Sequence, residues 1–140
     1  MLPLVQLRSL IPDDYDAALH LWHATPGVRG METRPEFERI LTRNPGLGTA
    51  ATAGDELVGA VLCTHDGRRG YLYHLAVAET FRRQGLGRRI VARCLEQLRE
   101  EGIHRCTIFL IADNDEGAVF WKNCGWRVRT DLKTMAIDLD

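Results

Sequence analysis

The stretch LAVAETFRRQGLGRRIV, residues 75–91, changes character halfway, and its reading decides the fold. Its first part is short, apolar and strand-like. From Leu86 onward, Ile90, Val91, Cys94, Leu95 and Leu98 recur on one helical face. Between the halves lie Arg82, Arg83, Gly85, Gly87, Arg88 and Arg89. A helix that opens at Gly85 directs N–H groups without carbonyl partners, and a partial positive charge, toward the preceding loop. Glycine there lets an anion approach the backbone closely, and the arginines add mobile positive charge, so the turn suits a phosphate or pyrophosphate. A dinucleotide fingerprint would need a third glycine where Ile90 stands, and a nucleoside triphosphate loop would need Gly-Lys followed by Ser or Thr. Neither is present.

Working outward, YLYHLAVA (71–78) leads into this turn as a strand, Gly102 stops the helix, and RCTIFLIA (105–112) follows as a strand apolar enough to be central. Upstream, VQLRSL alternates like a half-buried strand. PDDYDAALHLWHA then carries Tyr15, Leu19 and Trp22 at helical spacing, and TRPEFERILTR reads as a second, poorer helix. GLGTAATA, the turn GDE and LVGAVLCTH read as a hairpin. Downstream, Asp113 or Asn114 caps a helix through DEGAVFWKN, the segment CGW ends it, and RVR and KTMAIDL suggest a closing pair of strands. The order βααβββαβαββ predicts one α/β domain over residues 1–140, with a mixed central sheet of 6–7 strands flanked by four helices. The helix between the strands at 71–78 and 106–112 should form a right-handed crossover.

The bulk properties narrow the class. The chain has 140 residues, 45% hydrophobic and 26% charged, with a formal net charge of -1. That is the size of one domain, and the balance offers no attraction to nucleic acid. The apolar runs are far shorter than the roughly 20 residues of a membrane span, and no basic and apolar leader follows Met1, so the expectation is a cytoplasmic protein with no membrane partner. Cys63, Cys94, Cys106 and Cys124 show no CxxC spacing and read as small core residues. His20 and His23 lie three apart without a third ligand at useful spacing, so no metal is expected. Arg29, Arg34, Arg39 and Arg43 alternate with Glu32, Glu36 and Glu38 and read as a solvated face.

The stretch 75–91 resembles the acetyl-CoA-binding segment of the GNAT N-acetyltransferase superfamily, whose core reads Gln/Arg-x-x-Gly-x-Gly/Ala; Arg82, Gly85 and Gly87 fill it. A second segment, NDEGAVFWKNCGW, is similar to the family's Asn-x-x-Ala-x-x-x-Tyr-Glu-Lys-x-Gly-Phe helix, with Asn114, Gly117, Trp121, Gly125 and Trp126 in register. The resemblance implies a single-domain GNAT fold with acetyl-CoA (coenzyme A) between the two parallel strands. Its pyrophosphate would lie on the amides from Gln84 through Gly85, Leu86 and Gly87 to Arg88, with Arg82 and Arg83 nearby. The pantetheine arm would pair with the backbone around Leu75, Ala76 and Val77, where a bulge leaves an N–H to polarise the thioester carbonyl, and Asn114 would hold the cofactor from the other side.

The same resemblance implies acetyl transfer to a primary amine by direct attack. Related enzymes place the base, or a residue that orders a proton-carrying water, two or four positions before Leu75, which points to Tyr73 and Tyr71. Alternation puts both tyrosines on one face of the strand and His74 on the other, where a histidine reads as structural. Trp121 departs from the family, since it stands where many members carry the tyrosine that protonates the leaving thiolate, and indole N–H is far too weak an acid. HATPGVRGMETRPEF falls in the region that shapes the family's acceptor pocket. The acceptor stays open between a small-molecule amine and a protein or peptide amine, with a homodimer also left open. A catalytically idle acyl-CoA sensor or regulatory module of the same fold stands as the alternative.

Overall fold

The computed structural model describes residues 4–140; Met1–Pro3, where the reading of the N-terminal start begins, lie outside the described residues. The chain forms two compact units, one running to Phe109 and the other from Leu110 to Asp140.

In the first unit the elements follow the order β1 (Val5–Ser9), α1 (Tyr15–His23), α2 (Arg34–Arg43), β2 (Thr49–Ala53), β3 (Glu56–His65), β4 (Gly70–Val77), α3 (Leu86–Glu100) and β5 (Cys106–Ile108). The sheet runs β1-β2-β3-β4-β5, antiparallel except for the parallel pair β4 and β5. The predicted hairpin forms as read: β2 and β3 pair on either side of Gly54, whose φ of 62° is a left-handed value that glycine adopts without a Cβ penalty.

Local chemistry sets the helix ends. Thr33 and Glu36 close a reciprocal cap on α2, with Thr33 Oγ1 accepting from Glu36 N at 3.3 Å and Glu36 Oε1 accepting from Thr33 N at 2.8 Å. Helix α3 stops as predicted at Gly102, where Gly102 N and Ile103 N donate back to Arg99 O and Leu98 O.

Two apolar layers cover the sheet. On one side Tyr15, Ala18, Leu21 and Trp22 of α1 and Phe37 of α2 bury Ala50, Ala60, Leu62 and Ala76. On the other, α3 buries Ile90, Val91, Cys94 and Leu98 and approaches the strands closely. The approach is possible because Gly59 and Gly70 lack side chains. A Cβ on Gly59 would lie 2.7 Å from Ile90 Cδ1, and one on Gly70 would lie 2.6 Å from Leu98 Cδ1.

In the second unit Asn114 caps α4 (Asp115–Asn123), its Oδ1 accepting from Gly117 N at 3.0 Å, and Gly125 ends the segment at φ 93°. The expected closing strands at RVR and KTMAIDL do not form. The structure has five strands among the described residues, not 6–7, and β5 ends at Ile108 rather than reaching residue 112. A strand is not a local structure: its N–H and C=O groups need a neighbouring ladder, and residues 127–139 have none. Their alternating apolar members Met135, Ile137 and Leu139 are accordingly 93%, 85% and 94% exposed. Among the described residues no helix is long and apolar enough to cross a membrane.

Candidate functional site

Strand β4 is irregular where its sequence turns from aromatic to small. Ala60 pairs with Ala76 and Leu62 with Tyr73, so His74 and Leu75 together stand opposite Val61 alone. This is a β-bulge, and His74 takes the extra turn with φ 62°, a left-handed value unusual for a residue with a Cβ. On its other side β4 pairs with β5 only through Gly70, Tyr71 and Leu72. Strand β5 ends at Ile108, so from Tyr73 to Val77 this edge of β4 lies outside the ladder.

The bulge changes which side chains share a face. The predicted alternation sends His74 away from Tyr73, but the extra residue returns it to the α1 side. There its ring lies 5.2 Å from that of Trp22 and 6.4 Å from that of Tyr73. His74 Nε2 lies 3.0 Å from Glu32 Oε1 and 3.2 Å from Oε2, and the two side chains are only 11% and 19% exposed. Trp22 is fully buried, and among the described residues its indole N–H has no hydrogen-bond acceptor. Glu32 belongs to a largely buried pair and not to the solvated face expected from its charged neighbours.

The two candidate tyrosines do come together. Tyr71 and Tyr73 stack with ring centroids 6.3 Å apart, and Phe109 stacks on both, at 6.0 and 6.5 Å. Burial pushes the Tyr73 hydroxyl above the usual phenol range, and the nearby Tyr71, Glu32 and Cys106 push it the same way. A proton-accepting tyrosinate is thereby moved further from neutrality.

Leu75, Ala76 and Val77 complete β4, with Ala76 buried among the α1-facing core. The chain then enters the glycine and arginine turn. Phe81 buries its ring, while Arg82, Arg83, Gln84 and Gly85 are exposed. Arg82 Nε donates to Val77 O at 2.8 Å and so anchors the guanidinium at the end of the strand. Arg83 at φ 63° and Gly85 at φ 78° place a left-handed residue on either side of Gln84 and turn the backbone sharply into α3. The bond from Arg89 N to Gly85 O, 3.1 Å long, is the first of α3, so the N–H groups of Leu86 and Gly87 have no helical carbonyl. Arg88 lies exposed in the same first turn.

In the second unit, Trp121 packs against Trp126 at 4.8 Å and Phe120 at 5.2 Å, edge to face in both cases, and Trp126 N donates to Trp121 O. Asn114 serves its own helix as the cap already described.

The residues that sequence reasoning passed over are His74 as an inward-facing group and Glu32 as its partner. Only a chain fold that brings position 32 to position 74 could reveal the pair. A histidine followed by a run of small apolar residues gave a faint signal of the bulge at most.

The sequence model of the Acetyltransferase (GNAT) family matches residues 15–126. An acetyltransferase of Photorhabdus laumondii subsp. laumondii is 30% identical over 112 residues, 79% of this chain and 78% of the relative. Among solved structures, an aminoglycoside acetyltransferase from an uncultured soil metagenomic sample, in complex with sisomicin, superposes with a TM-score of 0.78 at 16% identity. The match covers 97% of each chain. The paia N-acetyltransferase from Thermoplasma acidophilum, in complex with coenzyme A, gives 0.77 at 16% identity over 90% of this chain and 91% of that one. The short parallel pair of β4 and β5, the bulge and the glycine turn at the start of α3 thus lie in a chain that belongs to the GNAT acetyltransferase family.

Proposed function

We propose that the protein is an acetyl-CoA-dependent N-acetyltransferase that passes the acetyl group to a primary amine by direct attack within a ternary complex. The observation that carries this reading is the continuity from the unpaired edge of β4, through its bulge, to the turn at Arg82–Arg88. Backbone at Leu75–Val77 that pairs with β3 on one side and has no partner on the β5 side suits an extended amide-bearing arm. The N–H groups at Gln84–Arg88 suit a pyrophosphate, with Arg82 and Arg83 supplying charge. A bulge N–H aimed at the thioester oxygen would stabilise the negative charge that develops when nitrogen adds to the carbonyl. The solved relative that holds coenzyme A supports the same cofactor here.

The acceptor must reach β4 from the α1 side, where the stacked rings of Tyr71, Tyr73 and Phe109 form an apolar wall beside the bulge. The wall suits an amine carried on an apolar or flat scaffold as much as a peptide end. Tyr73, with its hydroxyl held neutral, orders a water and does not act as a base itself.

A second reading rests on Trp121, which replaces the family's proton-donating tyrosine and is engaged with Phe120 and Trp126. It makes the protein an acyl-CoA sensor that binds without turnover. Titrating acetyl-CoA by calorimetry and then measuring thiol release with a panel of small amines and N-terminal peptides separates the two. Binding with release on at least one amine is the expected result. Binding without release on any would establish the sensor, and no binding would overturn both.

A further inference from the structure

His74 takes a left-handed φ of 62°, uncommon for a residue with a Cβ, although histidine is among those that adopt it more readily. Its ring has well-defined surroundings. Those surroundings are a carboxylate, Glu32, at 3.0 and 3.2 Å, and the buried ring of Trp22 at 5.2 Å. An ionised carboxylate only accepts hydrogen bonds, so Nε2 carries the hydrogen and Nδ1 keeps its lone pair. Among the described residues Nδ1 makes no hydrogen bond, and it is not sealed from solvent. An imidazole oriented by an acid through one nitrogen and open at the other is built as a proton acceptor.

We propose that His74, positioned by Glu32, removes the proton that the acceptor amine must lose before it can attack. The inference rests on the acetyl transfer proposed above and names its base. In the step, a substrate ammonium gives one proton to Nδ1 and becomes the free amine, whose lone pair forms the C–N bond to the thioester carbon. As the C–S bond breaks, its electron pair leaves with the thiolate. The nitrogen, cationic after attack, loses its second proton to the thiolate by way of water, and the proton on Nδ1 passes to solvent. The products are amide, thiol and one released proton, so charge and atoms balance.

Among the described residues the titratable groups in contact with His74 are Glu32, from the connection between α1 and α2, and Tyr73 on its own strand; α1 presents Trp22, which does not titrate. Tyr73 is the rival for the role and is the weaker one, because its buried hydroxyl is pushed away from neutrality.

The test is the pH profile of kcat/KM on one alkylamine for the full chain and for His74→Asn, His74→Gly and Glu32→Gln. Asparagine and glycine both accept the left-handed backbone, and the melting temperature of each variant checks that the fold survives. His74→Asn should lose about a hundredfold at neutral pH, with the deficit shrinking toward alkaline pH as the amine supplies its own free base. Imidazole added to His74→Gly should restore part of the rate. Glu32→Gln, which keeps an acceptor oxygen but loses the charge that orients the ring, should lower kcat/KM at neutral pH by about tenfold while leaving acetyl-CoA binding unchanged. A wild-type profile in His74→Asn, or an equal loss at every pH without imidazole rescue, overturns the dyad while leaving acetyl transfer intact. If wild type binds acetyl-CoA but acetylates no amine, the transfer reading fails and the dyad falls with it.

Discussion

Arg8 holds Asp14 in a two-pronged grip, with Nη1 at 2.7 Å from Oδ2 and Nη2 at 2.9 Å from Oδ1, so the end of β1 is fastened to the turn that starts α1. Burial alone would raise the Asp14 carboxyl, but the Arg8 fork and the Ile11 N–H outweigh it and leave the group below the usual aspartate range. A depressed native pKa means that the stabilisation is complete above the unfolded value of about 3.9 and is lost as pH falls through the lower native value. Asp14→Asn should therefore cost about 1 to 2 kcal/mol at neutral pH, a figure reduced because Arg8 is partly exposed. Thermal melts of the two proteins should converge as pH drops below that range. A constant gap down to the most acidic readable pH would rule out the ion pair as its source.

The close approach of α3 to the sheet gives a second expectation. Gly59→Val would force Ile90 aside and press on the Ala51 side chain, which lies 3.2 Å from the added Cβ, as well as on Ala76 O at 3.4 Å. Overpacking of this kind costs typically 1–3 kcal/mol, so a clear fall in the urea midpoint is expected. Gly70→Ala meets only the Leu98 side chain and no backbone atom, and it adds a single methyl, so it should cost less. The reverse ranking in urea titrations would show that the two glycines are not spacers for α3.

Acetyl-CoA affinity should depend on the turn before α3. Gly87→Glu places a carboxylate among the N–H groups of the helix start and should abolish binding with the melting temperature little changed. Arg82→Ala removes a charge anchored by Val77 O and should weaken binding by about 1 kcal/mol or more, with a larger effect at low salt. Calorimetry at two ionic strengths checks both. Undiminished binding by Gly87→Glu would displace the phosphate site from this turn.

Trp121 offers a chemical test of where the thiolate finds its proton. Its indole contributes an edge-to-face contact with Trp126 that phenylalanine keeps in part, so Trp121→Phe should retain most turnover at a modest cost in stability. Trp121→Tyr should raise kcat if the native chain lacks an acid at this position. A loss above about a hundredfold in Trp121→Phe, or roughly 2.7 kcal/mol of transition-state stabilisation, would make the indole a direct participant.

The parts of the molecule that announced themselves in sequence were those governed by local chemistry. Helix α3 was legible because Leu86, Ile90, Cys94 and Leu98 keep one face apolar, and its ends because Gly85 and Gly102 permit left-handed turns. The β2 and β3 hairpin followed from its turn and the α4 cap from Asn114. What stayed hidden depended on distant partners. Met135, Ile137 and Leu139 alternate like a strand, but no ladder receives them, and the pattern alone could not supply one. The inward turn of His74 was hidden because a histidine carries no warning of a positive φ. Glu32 sat among charges that resembled a solvated face until the fold paired it with position 74.

Strand β4 is written in two frames. Before His74, odd positions such as Tyr71 and Tyr73 face α1, while Leu72 pairs with Cys63 on the α3 side; after it, the even-numbered Ala76 faces α1, and Val77 pairs with Gly59 beneath Ile90. The inserted residue thus acts as a phase shifter that lets a wall of stacked aromatic rings and a smooth, small-residue core floor share one continuous strand. Deleting one residue between Tyr73 and Ala76 would be a frameshift in space, turning Ala76 off its layer without altering any other side chain. Segment exchanges with homologous chains should therefore preserve the spacing from Tyr73 to Ala76 even where every residue between them is replaced.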